Sequence, residues 1–359
     1  MNILIIYGGQ SCEHDISIIT ACLAKGYFDG NVFSAYFDKQ NRCFIVPNDV
    51  SPSKHQNLQL RDEVVFCFGK KRIGICRGRR IKRYVDIDVA VNCCHGLCGE
   101  DGSIFAICQM LGVPLVGSDM LASGIALDKI STKRTLRSIG MPTVMGKCIT
   151  RQQYDSGSFG VGNLGFPVIV KPNKLGSSIG VAVCHDKAQL KNALEVAFCY
   201  DNQVLCEKAL TNFSEVNCSA MRVDNVVLSS DVDSPTTTHD LLTFEDKYLA
   251  NGKWCRPSVS VEQVVKNSVK IMTEQIYDKL GFQGVIRVDF LVDNTTGRIF
   301  VNEINAIPGS LAYGLWSNVY SQKQFGDILL KQALTDHEKD LQLVRSYQSS
   351  VLSGAINKK

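Results

Sequence analysis

The sequence has no apolar run approaching the roughly 20 residues that a membrane-spanning helix needs, so no membrane partner is expected. It has little charge imbalance: a formal net charge of +4 over 359 residues does not imply a polyanionic partner. It lacks a basic leader before its first apolar stretch. Residues 1–9 are therefore expected to form a strand entering a tight loop, not an export signal. Although there are fifteen cysteines, no Cys-x-x-Cys spacing repeats. Cys43, Cys67, Cys108, Cys184 and Cys206 sit inside apolar runs, so the set reads as mostly free thiols of a reducing cytosol. Cys93, Cys94, His95 and Cys98 lie close in sequence but without the paired-ligand spacing of structural zinc. Internal repeats and low-complexity segments are also absent.

What is present is an ordinary globular balance, 45% hydrophobic and 21% charged, long enough for two or three packed domains. Apolar periodicity predicts strands near 2–7, 32–37 and 43–46, a helix over 17–27, and a polar loop over 51–57. A strand at 86–91, a helix at 103–111 and a strand at 113–116 complete a βαβ rhythm, which indicates a parallel sheet carrying helices. Between them, 70–83 holds Lys70, Lys71, Arg72, Arg77, Arg79, Arg80, Lys82 and Arg83. No aromatic interleaves this basic block, so it is expected to be a solvated hairpin with charged edges and no nucleic-acid partner. A helix over 118–139 leads to a second unit with strands at 167–171, 181–184 and 203–207 and a helix at 187–198. A third unit has strands at 216–221 and 226–229, a helix at 261–280 and a hairpin over 284–305. A polar segment closes the chain.

The hairpin carries the clearest chemistry. Period-two alternation puts Arg287 and Asp289 on one face of the first strand, and Glu303 and Asn305 on one face of the return strand. With the turn centred near Thr296, Asp289 lies opposite Glu303 and Arg287 opposite Asn305. Opposed carboxylates repel, so they need a cation or a shared proton. An Asp, a Glu and an Asn oxygen converging on one face suit Mg²⁺. The alternative is a solvated surface hairpin, against which the apolar neighbours Val285, Ile286, Val288, Phe290, Val301 and Ile304 count.

Four further segments stand out. The strand ending at Lys171 runs into Gly176-Ser177-Ser178, a small-residue loop able to cradle phosphate oxygens. It is not a Walker loop, because the lysine precedes the glycine, and alone it would pass for a turn. Glu207-Lys208 at a strand end, with Glu215 beyond, is either a salt-bridged turn or the edge of a nucleotide site. The loop Gly8–Asp15 follows the first strand at the end where α/β sheets bind ligands. Its Glu13 either caps the next helix or holds a substrate ammonium. The loop His95–Gly102 is a second polar loop at the same sheet edge.

These segments, in this order, resemble D-alanine–D-alanine ligases of the ATP-grasp superfamily over roughly residues 2–335. The resemblance rests on Gly8–Glu13, His95–Gly102, Asp128-Lys129, Val170–Ser178, Glu207-Lys208, Lys247-Tyr248, Arg287-Val-Asp289 and Asn302–Gly309. It implies an α/β, three-domain ATP-grasp fold. An N-terminal parallel-sheet (pre-ATP-grasp) domain would span 1–117, a central subdomain 118–208, and a C-terminal subdomain with lid and metal hairpin 209–335, with a polar tail from 336 to 359. ATP would sit between the central and C-terminal parts.

The implied reaction joins two D-alanines through an acylphosphate, for peptidoglycan precursor synthesis and cell shape, in the cytoplasm of the cell. Lys129, Lys171 and Ser178 would hold phosphate, Glu207, Lys208 and Glu215 adenine and ribose, and Lys247 the γ-phosphate from a lid over 230–248. Asp289, Glu303 and Asn305 would hold two Mg²⁺ or Mn²⁺ ions. Arg287 would stabilise the transferring phosphate, and Glu13, Ser177 and Tyr248 would orient the first D-alanine. His95, Gly309, Gly314 and Leu315 would lie at the substrates. A homodimer through the N-terminal domains is also implied.

Gly314 departs from the pattern, since a serine that helps grip the second substrate's carboxylate usually stands there. A ligase for D-serine or another amino acid or amine is therefore one alternative. A non-catalytic nucleotide-binding relative is another, against which the retained Lys129, Lys171, Lys247, Arg287, Asp289, Glu303 and Asn305 count.

Overall fold

The computed structural model describes residues 1–235 and 261–347, with isolated positions 349 and 351. Three sheets organise it. The first has eight strands, and its centre is the run Asn2–Gly8, flanked in parallel by Asn31–Phe37 and Val89–Asn92, with Leu115–Val116 parallel beyond. The apolar run Ile3–Tyr7 does not alternate because both faces are covered. Ile3, Ile5 and Tyr7 share one core with the helix His14–Ala24, while Leu4 and Ile6 share another with Ser103–Leu111.

The expected parallel sheet is therefore mixed. Cys43–Val46, Glu63–Cys67, Arg72–Arg77 and Arg80–Asp86 extend it antiparallel; residues 38–42, 68–71 and 78–79 are short turns with no room for a crossover, while the longer link 47–62 carries the 3₁₀ helix Pro52–Asn57. The basic block forms its outer edge, with Arg77 paired to Asp62 and Arg72 to Asp86.

The second sheet is antiparallel, in the order Ala182–Cys184, Val168–Pro172, Gln203–Lys208, Gly146–Thr150, backed by the helix Lys187–Ala197. The third is also antiparallel, in the order Val226–Ser229, Phe213–Val223, Val285–Asp293, Ile299–Asn305, backed by Gln263–Lys279. Among the described residues, no helix is long and apolar enough to cross a membrane.

Two local expectations need correction. The single helix over 118–139 is two, Met120–Leu127 and Lys129–Ser138. Asp128 breaks it, with extended backbone and a side chain that accepts from Ser131 N at 2.8 Å, an N-cap inside what periodicity reads as one helix. The polar loop over 51–57 is a 3₁₀ helix, Pro52–Asn57, which buries His55 against Tyr7 at 3.0 Å.

The last long helix, Gln322–Leu341, returns to the first sheet while also touching the third, where Lys331 pairs with Asp224. Phe325, Leu329, Leu330 and Ala333 join the core of Ile3, Ile5 and Tyr7. Gly326 permits the approach, since a Cβ there would stand 2.1 Å from the Tyr27 carbonyl oxygen. Gly326→Ala should therefore lower stability by about 1–3 kcal/mol, the usual cost of overpacking a closed interface, read as a lower urea midpoint. An unchanged midpoint would show that the helix docks loosely.

Candidate active site

The hairpin Val285–Asp293 and Ile299–Asn305 has the register that alternation requires: Asp289 faces Glu303 and Arg287 faces Asn305, with a bulge just after Asp289. Asp289 is 1% exposed. Its carboxylate is gripped by the Arg287 guanidinium through two bonds of 2.6 and 2.8 Å. It also accepts from Asn305 Nδ2 at 3.0 Å. The repulsion between the facing carboxylates is thus offset within the protein by Arg287. Among the described residues no three His, Cys, Asp or Glu side chains gather as a metal cluster. The donor set here is two carboxylates and an amide, hard oxygens of the kind Mg²⁺ or Mn²⁺ takes.

Between the second and third sheets lies a cavity of about 670 Å³. Lys129, Lys171, Ser178, Glu207, Lys208, Glu215 and Glu303 all line it, and Ile169, Val181, Leu210 and Leu291 give it an apolar side. Asn173 brings the two lysine segments together. It follows the strand that carries Lys171, and its side chain accepts from Ile130 N at 2.9 Å and donates to Asp128 at 2.7 Å. That pins the start of the helix beginning at Lys129.

Lys171 donates to Asn302 Oδ1 at 3.0 Å and pairs with Glu207 at 2.7 Å. Glu207 also pairs with Lys133. The Glu207 carboxylate therefore points at two lysines. Burial works against its charge, but Lys171 and Lys133 outweigh burial and hold its pKa below the usual carboxylate range. Lys171 is likewise penalised by burial yet raised, because Glu207 outweighs the penalty.

A second neighbourhood joins all three sheets. Glu13, at the start of the first helix, accepts from Ser177 Oγ. A Cβ on Gly176 would stand 2.7 Å from the Glu13 carboxylate, so only glycine leaves this approach open. Glu100 accepts from Gly96 N at 2.8 Å and from Ile307 N at 3.2 Å, tying the His95 loop to the segment beyond Asn305. Burial, followed by the nearby Glu13, pushes its pKa up to about 8. Thr20 Oγ1 meets His95 Nε2 at 2.8 Å and accepts from Ser310 N at 3.2 Å.

Backbone strain marks the same place: Ser177 and Ser178 have φ of 53° and 58°, and Ser310, Leu311 and Ala312 have 52°, 53° and 56°. Gly309 directly precedes this second left-handed stretch, and Gly314 lies in the short helix Tyr313–Trp316 that follows. Leu315 packs against the first-sheet core. Cys93 and Cys94 enter cores on opposite faces of the first sheet.

Lys247 and Tyr248 lie outside the described residues. The start of the expected lid is described, and Asp233 is bridged to Asn217 by bonds of 2.8 and 3.0 Å.

Sequence reasoning passed over Thr20, Lys133 and Asn302. Lys133 had a signal, since it sits one helical turn after Lys129 on the same face. Asn302 opens the motif Asn302–Gly309 without a role assigned to it there, and Thr20 had no signal beyond proximity to motif residues.

Comparison with known proteins identifies the family. A family profile described as the D-ala D-ala ligase N-terminus matches residues 2–118. Another, for the D-ala D-ala ligase C-terminus, matches residues 135–329, more than half of the chain. The chain belongs to the D-alanine–D-alanine ligase family. Within that family, the D-alanine–D-alanine ligase of Thermosipho melanesiensis is 30% identical over 100% of both chains. That of Campylobacter jejuni is 30% identical over 89% of this chain and 90% of its own. Two solved structures share the fold: D-alanine–D-alanine ligase from Helicobacter pylori and VanG D-Ala:D-Ser ligase from Enterococcus faecalis. Their TM-scores are 0.75 and 0.77, each at 23% identity, over 93% and 92% of this chain and 98% and 99% of theirs.

The site also makes a prediction about pH. Burial, followed by the nearby Arg287, pushes the His95 pKa down from 6.5 to about 3. The unfolded chain then binds a proton on His95 that the folded chain refuses. The stability held above the unfolded value is lost as pH falls from 6.5 toward 3. His95→Gln should flatten the decline of the urea midpoint over that interval. An identical slope in both proteins would show that His95 titrates normally.

Proposed function

We propose that the protein uses ATP to join two D-alanines into D-alanyl-D-alanine. The observation that carries this is the single cavity lined by every described residue expected to hold nucleotide, with Glu303 of the acidic hairpin at its wall. Lys129, Lys171 and the Ser178 loop neutralise and orient the phosphates, the apolar side accepts the base, and Glu215 accepts the ribose hydroxyls. Glu13, buttressed by Ser177, holds the ammonium of the first D-alanine.

The carboxylate oxygen of that D-alanine attacks the γ-phosphorus, and ADP leaves. The amine of the second D-alanine loses a proton and attacks the acyl carbon, and inorganic phosphate leaves. Arg287 stabilises the charge that develops in both steps. Catalysis is positioning and charge neutralisation. Asp289, Glu303 and Asn305 would hold magnesium or manganese, which supplies charge to the phosphate oxygens when bound.

The same reading divides the chain at 1–117, 118–208 and 209–335, with a polar tail, and places it in the cytosol as a homodimer. Asp289→Asn should cut turnover by at least about a hundredfold, the scale of losing one preorganised electrostatic contact, in a chain that still shows the wild-type circular dichroism spectrum at the assay temperature. ADP release at the wild-type rate would remove the hairpin from the mechanism.

Gly314 favours a second reading, in which the second substrate differs. A Cβ at Gly314 meets no described atom within 4 Å, so packing among the described residues does not exclude a serine. On the D-alanine reading, ADP release is fastest with D-alanine alone, and Gly314→Ser lowers the KM for the second D-alanine. Faster release only when D-serine or another amine is added to D-alanine would establish the second reading.

A further inference from the structure

Lys133 belongs to none of the motifs that mark the nucleotide site, and it does not line the cavity. It is nevertheless buried, and its ammonium has two described partners: the Val144 carbonyl oxygen at 3.1 Å and the Glu207 carboxylate. Glu207, also buried, is shared with Lys171, which does face the cavity. The three groups form a chain of two ammonium ions around one carboxylate, with a net single positive charge. Without Lys133, Glu207 and Lys171 would cancel. Glu215 and Glu303 also line the cavity. A cancelled pair would then leave Lys129 and Lys208 as the lysine charges at the cavity wall.

We infer that Lys133 is a positioning residue for phosphate binding: it takes up the charge of Glu207 so that the charge of Lys171 acts on the nucleotide. The inference rests on the nucleotide reading of the cavity. Lys133 touches no phosphate. Its work is done through a carboxylate that would otherwise hold the lysine for itself. The helix supports this geometry, because Lys133 lies one turn after Lys129 and both ammonium groups therefore approach the second sheet from one face. Lys129 reaches the Leu175 carbonyl oxygen at 2.6 Å, beside the phosphate loop, while Lys133 reaches the back of the strand end.

The test separates phosphate from base. Binding of ADP and of adenosine to the full chain is measured by calorimetry in magnesium buffer. For Lys133→Met, ADP affinity should fall roughly tenfold, the scale of one unit charge about 12 Å away at an effective dielectric of about 20, while adenosine affinity holds. Lys133→Arg should keep ADP affinity. The double variant Lys133→Met with Glu207→Gln, which restores a single positive charge, should regain the ratio of ADP to adenosine affinity that Lys133→Met loses. Where Lys133→Met does not fold, Lys133→Gln, which keeps a donor toward Glu207 without the charge, is read by the same ratio. Equal losses for ADP and adenosine, or a double variant no better than the single, would overturn the inference in favour of a packing role. Wild-type protein that binds neither ligand would instead overturn the nucleotide reading itself.

Discussion

The contact on which the site depends is the buried pair between Lys171 and Glu207. It sits at the end of the second sheet, and Lys171 extends beyond it to Asn302 on the third. Two sheets with separate cores are thus joined at the cavity wall by one lysine. A buried pair of this kind is weak evidence for stability, since desolvation consumes much of the attraction. Its value here is geometric. Both partners are fixed on paired strands, Ile169 opposite Glu207 and Lys171 opposite Leu205, so the ammonium is aimed before any ligand arrives.

The first sheet is attached by smaller contacts that converge on the same place. Glu13 reaches the Ser177 loop, Glu100 reaches Ile307, and Thr20 reaches Ser310. Each crosses from a loop at the C-terminal end of a first-sheet strand or from the helix that follows it. The left-handed turns at Ser177–Ser178 and Ser310–Ala312 are what these contacts hold. Non-glycine residues cost energy in that region, and such strain persists where surrounding bonds over-determine the backbone. The family membership gives these ties a purpose, because a ligase must bring an ATP site and two amino-acid sites to one point.

Much of this was legible in the sequence, and unevenly so. The pairing of Asp289 with Glu303 was readable from a turn centred near Thr296, but the ladder reaches it through a bulge: Phe290 pairs with Val301, and the register shift just after Asp289 brings Glu303, not Asn302, opposite it. The gathering of Lys129, Lys171, Glu207 and Glu215 at one cavity was implied by the family resemblance. The break at Asp128 was hidden because the apolar stripes of the two helices run on in phase, and only the side-chain cap reveals the boundary. The antiparallel pairing of Arg72–Arg77 with Arg80–Asp86 was readable as a hairpin, but its joining to the first sheet was hidden, because strand propensity does not report which strands become neighbours. The left-handed stretch at Ser310–Ala312 carries no glycine, so no residue type announced it. Glu207 shows the limit of motif reasoning: its position was expected at the nucleotide, but its carboxylate turns inward to two lysines.

The docking of Gln322–Leu341 on the first sheet bears on how the chain is made. Ile3, Ile5 and Tyr7 belong to the opening strand, yet part of their cover is Phe325, Leu329, Leu330 and Ala333, more than three hundred residues later. During synthesis, domains generally fold as units from the N-terminus onward. Here the first unit emerges with one face of its central strand incompletely covered, and it stays so while the second and third sheets are translated. The exposed apolar surface of that waiting intermediate is a target for chaperones and for self-association, and arrival of the final helix closes it. The order of the chain thus leaves the cover of the first sheet incomplete until residues 322–341 have been made.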